Sequence, residues 1–308
     1  MATTLFGQAY APYLALGVGE LGGRASAAGC LDGFGEKIPW AACDTHSGRL
    51  LATGLERKLR LDLPRAFRPE FVKRSLDAQA EPLRRLLKKK ELVILFGALD
   101  EPALLPLCAG LGTQLKRESR RVCTIGLEPT LSANSESIDP PKGSDLFLRV
   151  SIAGGENALS SDVPATRLAR LGEETLSYAV EALMAALVGC DSAPDFSFGE
   201  LHEFLRGGAI SSVVGTAQGR DAVMEAFEQA WSAGRVSEAT GVALALVAGR
   251  EFSWAEVRNI RSTLLEAFGD ETSSLIGFGT DPAVGDEARC LVMCRPASSR
   301  NVVQLRSV

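Results

Sequence analysis

The residues Gly17 to Gly23, GVGELGG, lie between the apolar run YLAL and the alanine-rich RASAAGCL. A short strand, a glycine-rich turn and a helix form the layout of a phosphate-cradling loop. Glycine lets backbone N–H groups approach phosphate oxygens, and the helix adds its positive end. Gly17, Gly19, Gly22 and Gly23 satisfy the loose spacing G-x-G-x-x-G. Glu20, inside the loop, places a carboxylate where an anion would sit. Close packing of a strand on a helix also selects glycine, and the stretch alone leaves both readings open. Elsewhere the chain is poor in reactive groupings. It has two histidines, and its seven cysteines are scattered. Cys290 and Cys294, at strand spacing, share one face as small buried residues, which argues against a zinc site.

The chain of 308 residues holds one large or two modest domains. Its 46% apolar and 23% charged residues are ordinary for a globular protein, and a net charge of −5 gives no basic excess to hold nucleic acid. The one dense basic run, RRLLKKK at 84–90, reads as a solvated helix end. No apolar run reaches the length of a membrane span, and the first residues lack the basic start and apolar core of a signal peptide. Odd, scattered cysteines fit a reducing compartment, so a cytoplasmic location is expected.

The first half alternates between strands and helices. YLALG, IPWAACDT, KLRLDL, ELVILFGA, RVCTIGL and LFLRVSI read as strands with helical stretches between them. Strands apolar along their whole length predict a parallel sheet covered on both faces. A helical pattern runs from Pro69 to Lys90, with a disturbance at Pro82. The polar segment 128–145 reads as a loop. The helix expected over 166–190 is apolar around much of its surface, so it should be buried between layers. After DSAPDFS the pattern changes to a smaller α/β unit. The expected division is 1–165, the central helix 166–192, 193–296 and a tail 297–308, with separate sheets in the two halves.

The order of elements and several local strings resemble FtsZ, the bacterial tubulin homologue. The likeness is clearest in FGELHEFLRGGAISSVVGTAQGRDAVMEAFEQAW and in the segment from Gly241 to Cys294. In the first half GVGELGG, CDTHSGRL, RPEFVKRSL and ELVILFGA occupy equivalent places. The resemblance covers nearly the whole chain, with few identical positions. It implies an α/β fold of the FtsZ/tubulin type: a parallel Rossmann-like first sheet, a central helix and a smaller α/β second unit. It also implies a GTP site shared between protomers that polymerise head to tail.

The parts of that site are altered. The family's glycine–threonine run after the fourth strand is here FGALDEPALL, where Gly97 alone remains and Asp100 and Glu101 open the next helix. PRAFRPE, with Pro64, Phe67 and Arg68, replaces small residues. The loop at 128–145 stands in place of a ribose-contacting helix. Glu173 and Glu174 fall where the family reads guanine, and Glu174 either accepts hydrogen bonds from a base or is an exposed helix glutamate. The family's catalytic loop corresponds to Asp195, Ser197 and Glu200. One acid is kept in kind, and Ser197 with Glu200 also reads as a helix cap. Gly17, Gly19, Gly22, Gly23, Gly97 and Glu174 are thus the remnant of a GTP site expected to be empty, with no cofactor.

The function expected is that of an FtsZ/tubulin-like protein without GTPase activity. It would assemble head to tail with itself or bind an FtsZ-like partner, with Phe196, Phe198 and Leu201 in the contact. The alternatives are a divergent GTPase that polymerises on GTP and an unrelated Rossmann-type enzyme, for which no His, Lys or Cys constellation is present.

Overall fold

A computed structural model describes residues 12–31, 38–62, 68–102, 104–128, 138–152, 164–190, 193–206, 208–234, 236–269 and 273–296. Ten strands form one sheet in the order β3-β2-β1-β4-β5-β6-β7-β10-β8-β9. They are β1 (Tyr13–Val18), β2 (Trp40–Asp44), β3 (Lys58–Arg60), β4 (Leu92–Ala98), β5 (Arg121–Leu127), β6 (Leu146–Ile152), β7 (Ala209–Gln218), β8 (Ala239–Ala248), β9 (Ser274–Thr280) and β10 (Glu287–Pro296). Only β10 runs against its neighbours, β7 and β8. The other nine strands share one direction, so the sheet has a carboxyl end and an amino end that differ in chemistry.

The expected separate sheets are not formed. β6 pairs with β7 in parallel from Phe147↔Ala209 to Ile152↔Val214, which makes the sheet continuous through both halves. The change of sequence pattern after Asp195 corresponds instead to a change in what covers one face. There, helices α3 (Pro69–Ala78), α4 (Ala80–Leu86) and α5 (Leu104–Arg117) enclose a first core built on Val72, Leu83 and Leu107. Helices α8 (Ala222–Ala233) and α9 (Trp254–Phe268) enclose a second, built on Phe227, Ile260 and Phe278. On the opposite face one core spans both halves, and α6 (Ala165–Val188) runs through it. Leu176, Val180, Leu183 and Met184 of this helix are fully buried, as its apolar circumference predicts.

Two details follow from proline and glutamate chemistry. The helical pattern from Pro69 breaks at Gln79, and Pro82 lies in the first turn of α4, where its missing N–H costs nothing. The central helix also carries a charge in its buried stripe. Glu181, with no exposed surface, forms an ion pair with Arg289 of β10. Ser177 Oγ donates to Glu181 Oε1 at 2.9 Å. The Arg289 guanidinium lies 3.9 Å from the Tyr178 ring centroid and 3.1 Å from Glu287 Oε2. This network ties the central helix to the middle of the second half of the sheet.

Candidate functional site at the carboxyl end of the sheet

β1 feeds directly into α1 (Gly19–Leu31) through the glycine stretch. The five glycines in question do different jobs. A Cβ on Gly17 would overlap the Gly22 carbonyl, and one on Gly97 would come within 2.5 Å of the Val18 carbonyl oxygen. Gly22 in turn faces the Phe96 carbonyl. These three let β1, α1 and β4 touch backbone to backbone, which is the packing reading of the motif. Gly23 faces Thr53 at 3.5 Å and lines a cavity of about 510 Å³. Gly19 has φ +78, in the region that favours glycine, and its Cα faces the Glu101 carboxylate.

Glu101 is the centre of the site. It lies in the turn after β4, and its side chain reaches across to α1 rather than staying at the start of α5. Glu101 Oε1 accepts the Glu20 backbone N–H at 2.7 Å. Any side chain at residue 19 would overlap the same carboxylate. A carboxylate therefore sits at the positive end of α1, in the place a phosphate oxygen would take. Its second oxygen, Oε2, is buried without a hydrogen-bond partner among the described residues, and so is Oδ2 of Asp44 at the end of β2. Burial pushes the Glu101 carboxyl above the usual carboxylate range. The Glu20 N–H works against that shift, and the Asp44 and Glu20 charges add to it.

Around this contact lie the cavity of about 510 Å³, with Asp44, Arg49 and Glu173 in its wall, and a second of about 450 Å³. The second has an apolar floor of Leu21, Leu127, Ile152 and Leu168 and an acidic wall of Asp100 and Glu101. Both include Glu20 and Arg24. The two arginines are already engaged: Arg24 pairs with Glu173 at 2.5 Å and Arg49 with Glu20 at 2.8 Å. Five carboxylates line the two cavities against these two guanidiniums.

A Glu101→Gln variant tests this electrostatic description. Glutamine keeps the acceptor for the Glu20 N–H and removes the buried charge. Because the folded-state pKa is raised, the native state holds the Glu101 proton more tightly than the unfolded chain. The charge therefore penalises folding above the raised pKa, and the penalty disappears as pH falls to the unfolded value of about 4.3. The variant is expected to melt higher than wild type at pH 7, with the gap closing as the pH is lowered through that window. Thermal melts over pH 4–8 read it directly.

The remaining residues of interest are placed elsewhere. Glu174 is half-buried and bonded to Arg170 one turn back at 2.8 Å, while its neighbour Glu173 faces the cavity. Ser197 caps α7 (Phe198–Phe204): its Oγ accepts the Glu200 N–H, and the Glu200 carboxylate accepts the Ser197 N–H. Those bonds hold the Glu200 carboxyl below its usual range. Asp195 packs on Gly189, whose φ is +76, and borders a groove of about 580 Å³ along α9 and β9 with Trp254 and Arg258. Phe196, Phe198 and Leu201 are buried, which corrects the expectation that they face a neighbour. Phe196 fills the space above Gly277. Pro64, Phe67 and residues 129–137 of the segment 128–145 lie outside the described residues; Arg68 is exposed ahead of α3. Among the described residues no group of three or more His, Cys, Asp or Glu is arranged to hold a metal ion. The cysteines form no disulfide, and Cys290 and Cys294 are both buried in one core, as their spacing predicts.

No protein-family model and no curated protein sequence matches this chain. Solved structures do. An FtsZ W319Y mutant from M. jannaschii superposes with a TM-score of 0.70 at 14% identity, over 96% of this chain and 94% of that one. The chain has an FtsZ/tubulin-like fold. An FtsZ dimer from M. jannaschii, described as empty, gives 0.73 at 15% identity over 94% and 89%. A GTPγS-bound protofilament of CetZ2 from Haloferax volcanii gives 0.64 at 16% identity, over 92% of each chain. This fold accounts for the element order read from the sequence.

Proposed function

We propose that the protein is a tubulin-like assembly protein that does not use GTP. It associates end to end with itself, or with an FtsZ-like protein, as a cytoskeletal component. One observation carries this reading: the Glu101 carboxylate occupies the N-terminus of α1, bonded to the Glu20 N–H over Gly19. The similar structures described as a dimer and a protofilament support self-association as the mode of action. No described helix is long and apolar enough to cross a membrane.

A divergent GTPase is the competing reading, and the cavity of about 450 Å³ with its apolar floor is what favours it. That reading requires Glu101 to leave the loop and a polyphosphate to enter among five carboxylates set against two arginines. The capping box at Ser197 also engages Glu200 Oε2 with the Ser197 N–H of its own helix.

Nucleotide extraction from the purified protein, followed by sedimentation with and without GTP and magnesium, tests the proposal. The expected result is no stoichiometric guanine nucleotide and an association state that GTP does not change. GTP-triggered assembly would contradict it. Phe196→Asp is unsuited to mapping the contact, because it puts a charge into the core.

A further inference from the structure

Two carboxylate oxygens at the carboxyl end of the sheet have no donor among the described residues. Asp44, 4% exposed, spends Oδ1 on the His46 backbone N–H at 2.9 Å, while its Oδ2 is buried without a hydrogen-bond partner. Glu101 spends Oε1 on the Glu20 N–H, and its Oε2 is in the same state beside Gly19. Gly19 and Asp44 both line the cavity of about 510 Å³, and Glu101 lines the one of about 450 Å³. Glu20 and Arg24 belong to both, so the two cavities share a wall. Burial, with the Asp44 and Glu20 charges behind it, holds the Glu101 carboxyl above its usual range, a condition that an added cation relieves.

The charges around these oxygens do not balance. Glu20, Asp44, Asp100, Glu101 and Glu173 face only Arg24 and Arg49, an excess of three negative charges when all are ionised. Both guanidiniums are held by acids of the same set, Arg24 by Glu173 and Arg49 by Glu20. The next charges outward on α6, Arg170 and Glu174, pair with each other. A metal ion matches this arrangement poorly. It needs several ligands converging on one point, and no group of three or more His, Cys, Asp or Glu does so among the described residues. An ammonium group needs less, because its three donors reach separate acceptors without a closed coordination shell. Leu21, Leu127, Ile152 and Leu168 beside the acids suit methylene groups strung between such charges.

We infer that the two cavities together form a binding site for an aliphatic polyamine, a reading that rests on the absence of nucleotide use proposed above. One ammonium group lies among Asp44, Glu20 and Glu173, and another at Asp100 and Glu101. The methylene chain between them lies on the apolar floor of the second cavity. The ammonium groups supply the donors that Asp44 Oδ2 and Glu101 Oε2 lack. The Arg49 and Glu20 side chains are about half exposed, at 47% and 45%, so the shared wall can adjust around the chain. A monoamine would leave most of the excess charge unmatched.

Titration calorimetry of the full chain with spermidine tests it, at about 0.15 M salt so that surface charge is screened. One saturable site per chain is expected. Spermidine should bind more tightly than putrescine, which carries one charge fewer, and saturating spermidine should raise the melting temperature. Asp44→Asn keeps an acceptor for the His46 N–H and removes the buried charge. Leu168→Lys puts a tethered ammonium group on the apolar floor, from a half-buried position that α6 tolerates. Each is expected to weaken spermidine binding about tenfold or more. Glu228→Gln, on the exposed side of α8, is expected to leave it unchanged. Circular dichroism confirms that the variants are folded, and Leu168→Lys carries the test if Asp44→Asn is not. No saturable heat with spermidine, equal affinity for putrescine, or displacement by an equal concentration of magnesium would each overturn the inference. So would cavity variants that bind unchanged, or a loss in Glu228→Gln that matches theirs. Saturable GTP binding by the wild-type protein would overturn the functional reading instead, and separate titrations distinguish the two failures.

Discussion

Glu181→Leu is expected to lower the stability of the protein by about 3–5 kcal/mol, read as a shift of the urea unfolding midpoint. The substitution leaves the Arg289 guanidinium, 4% exposed, in the interior without its main counter-charge. Glu287 and the Tyr178 ring remain beside it and offset only part of the loss. Replacing both partners, Glu181→Leu with Arg289→Met, is expected to recover most of the stability, because apolar side chains of similar size tolerate the same space. The double variant separates two roles. If the ion pair only fills the core, the double variant behaves as wild type in assembly. If it fixes the register of the central helix against the sheet, assembly is altered while stability is restored. A single variant as stable as wild type would contradict the buried geometry described here.

Gly17→Val is expected to be comparably disruptive, at about 3 kcal/mol or more. Its Cβ would overlap the Gly22 carbonyl and lie within reach of Ser26 Oγ, so β1 and α1 would have to separate. Gly23→Ala meets nothing closer than Thr53 at 3.5 Å and is expected to be tolerated. A phosphate-cradling role would rank these two glycines alike, whereas the packing role ranks them far apart. Denaturant midpoints of the two variants, measured side by side, decide between those roles.

The sequence carried much of this fold openly. Apolar runs such as LVILFGA have side chains buried on both faces, and that pattern announces a central parallel strand. The long apolar helix was equally legible, because a helix apolar on most sides has nowhere to go except between layers. The continuous sheet was not legible. Whether β6 pairs with β7 depends on which edges meet in space, and apolar periodicity does not encode that. The same limit applied to Phe196, whose place above Gly277 joins residues distant in the chain.

At the site, the acidic character of Glu20, Asp100 and Glu101 was visible in the sequence, and so was the loss of the second glycine run. The particular contact was not. Glu101 and Glu20 are 81 residues apart, and the natural local reading placed Glu101 at the start of its own helix. Only the sheet order, with β4 beside β1, brings the turn after β4 onto the N-terminus of α1. A glycine with positive φ facing a carboxylate is the structural mark of that arrangement. Ser197 and Glu200 show the converse case. Their S-x-x-E spacing was sufficient to specify a capping box locally, and the structure forms one.

The central claim is that the Glu101 carboxylate has taken the place of a nucleotide phosphate. Isothermal titration of the purified wild-type protein with GTP in the presence of magnesium tests it most directly. The account predicts no saturable heat up to millimolar GTP, a ceiling of about 4 kcal/mol on any binding free energy. Saturable binding in the low-micromolar range, about 8 kcal/mol, would contradict it.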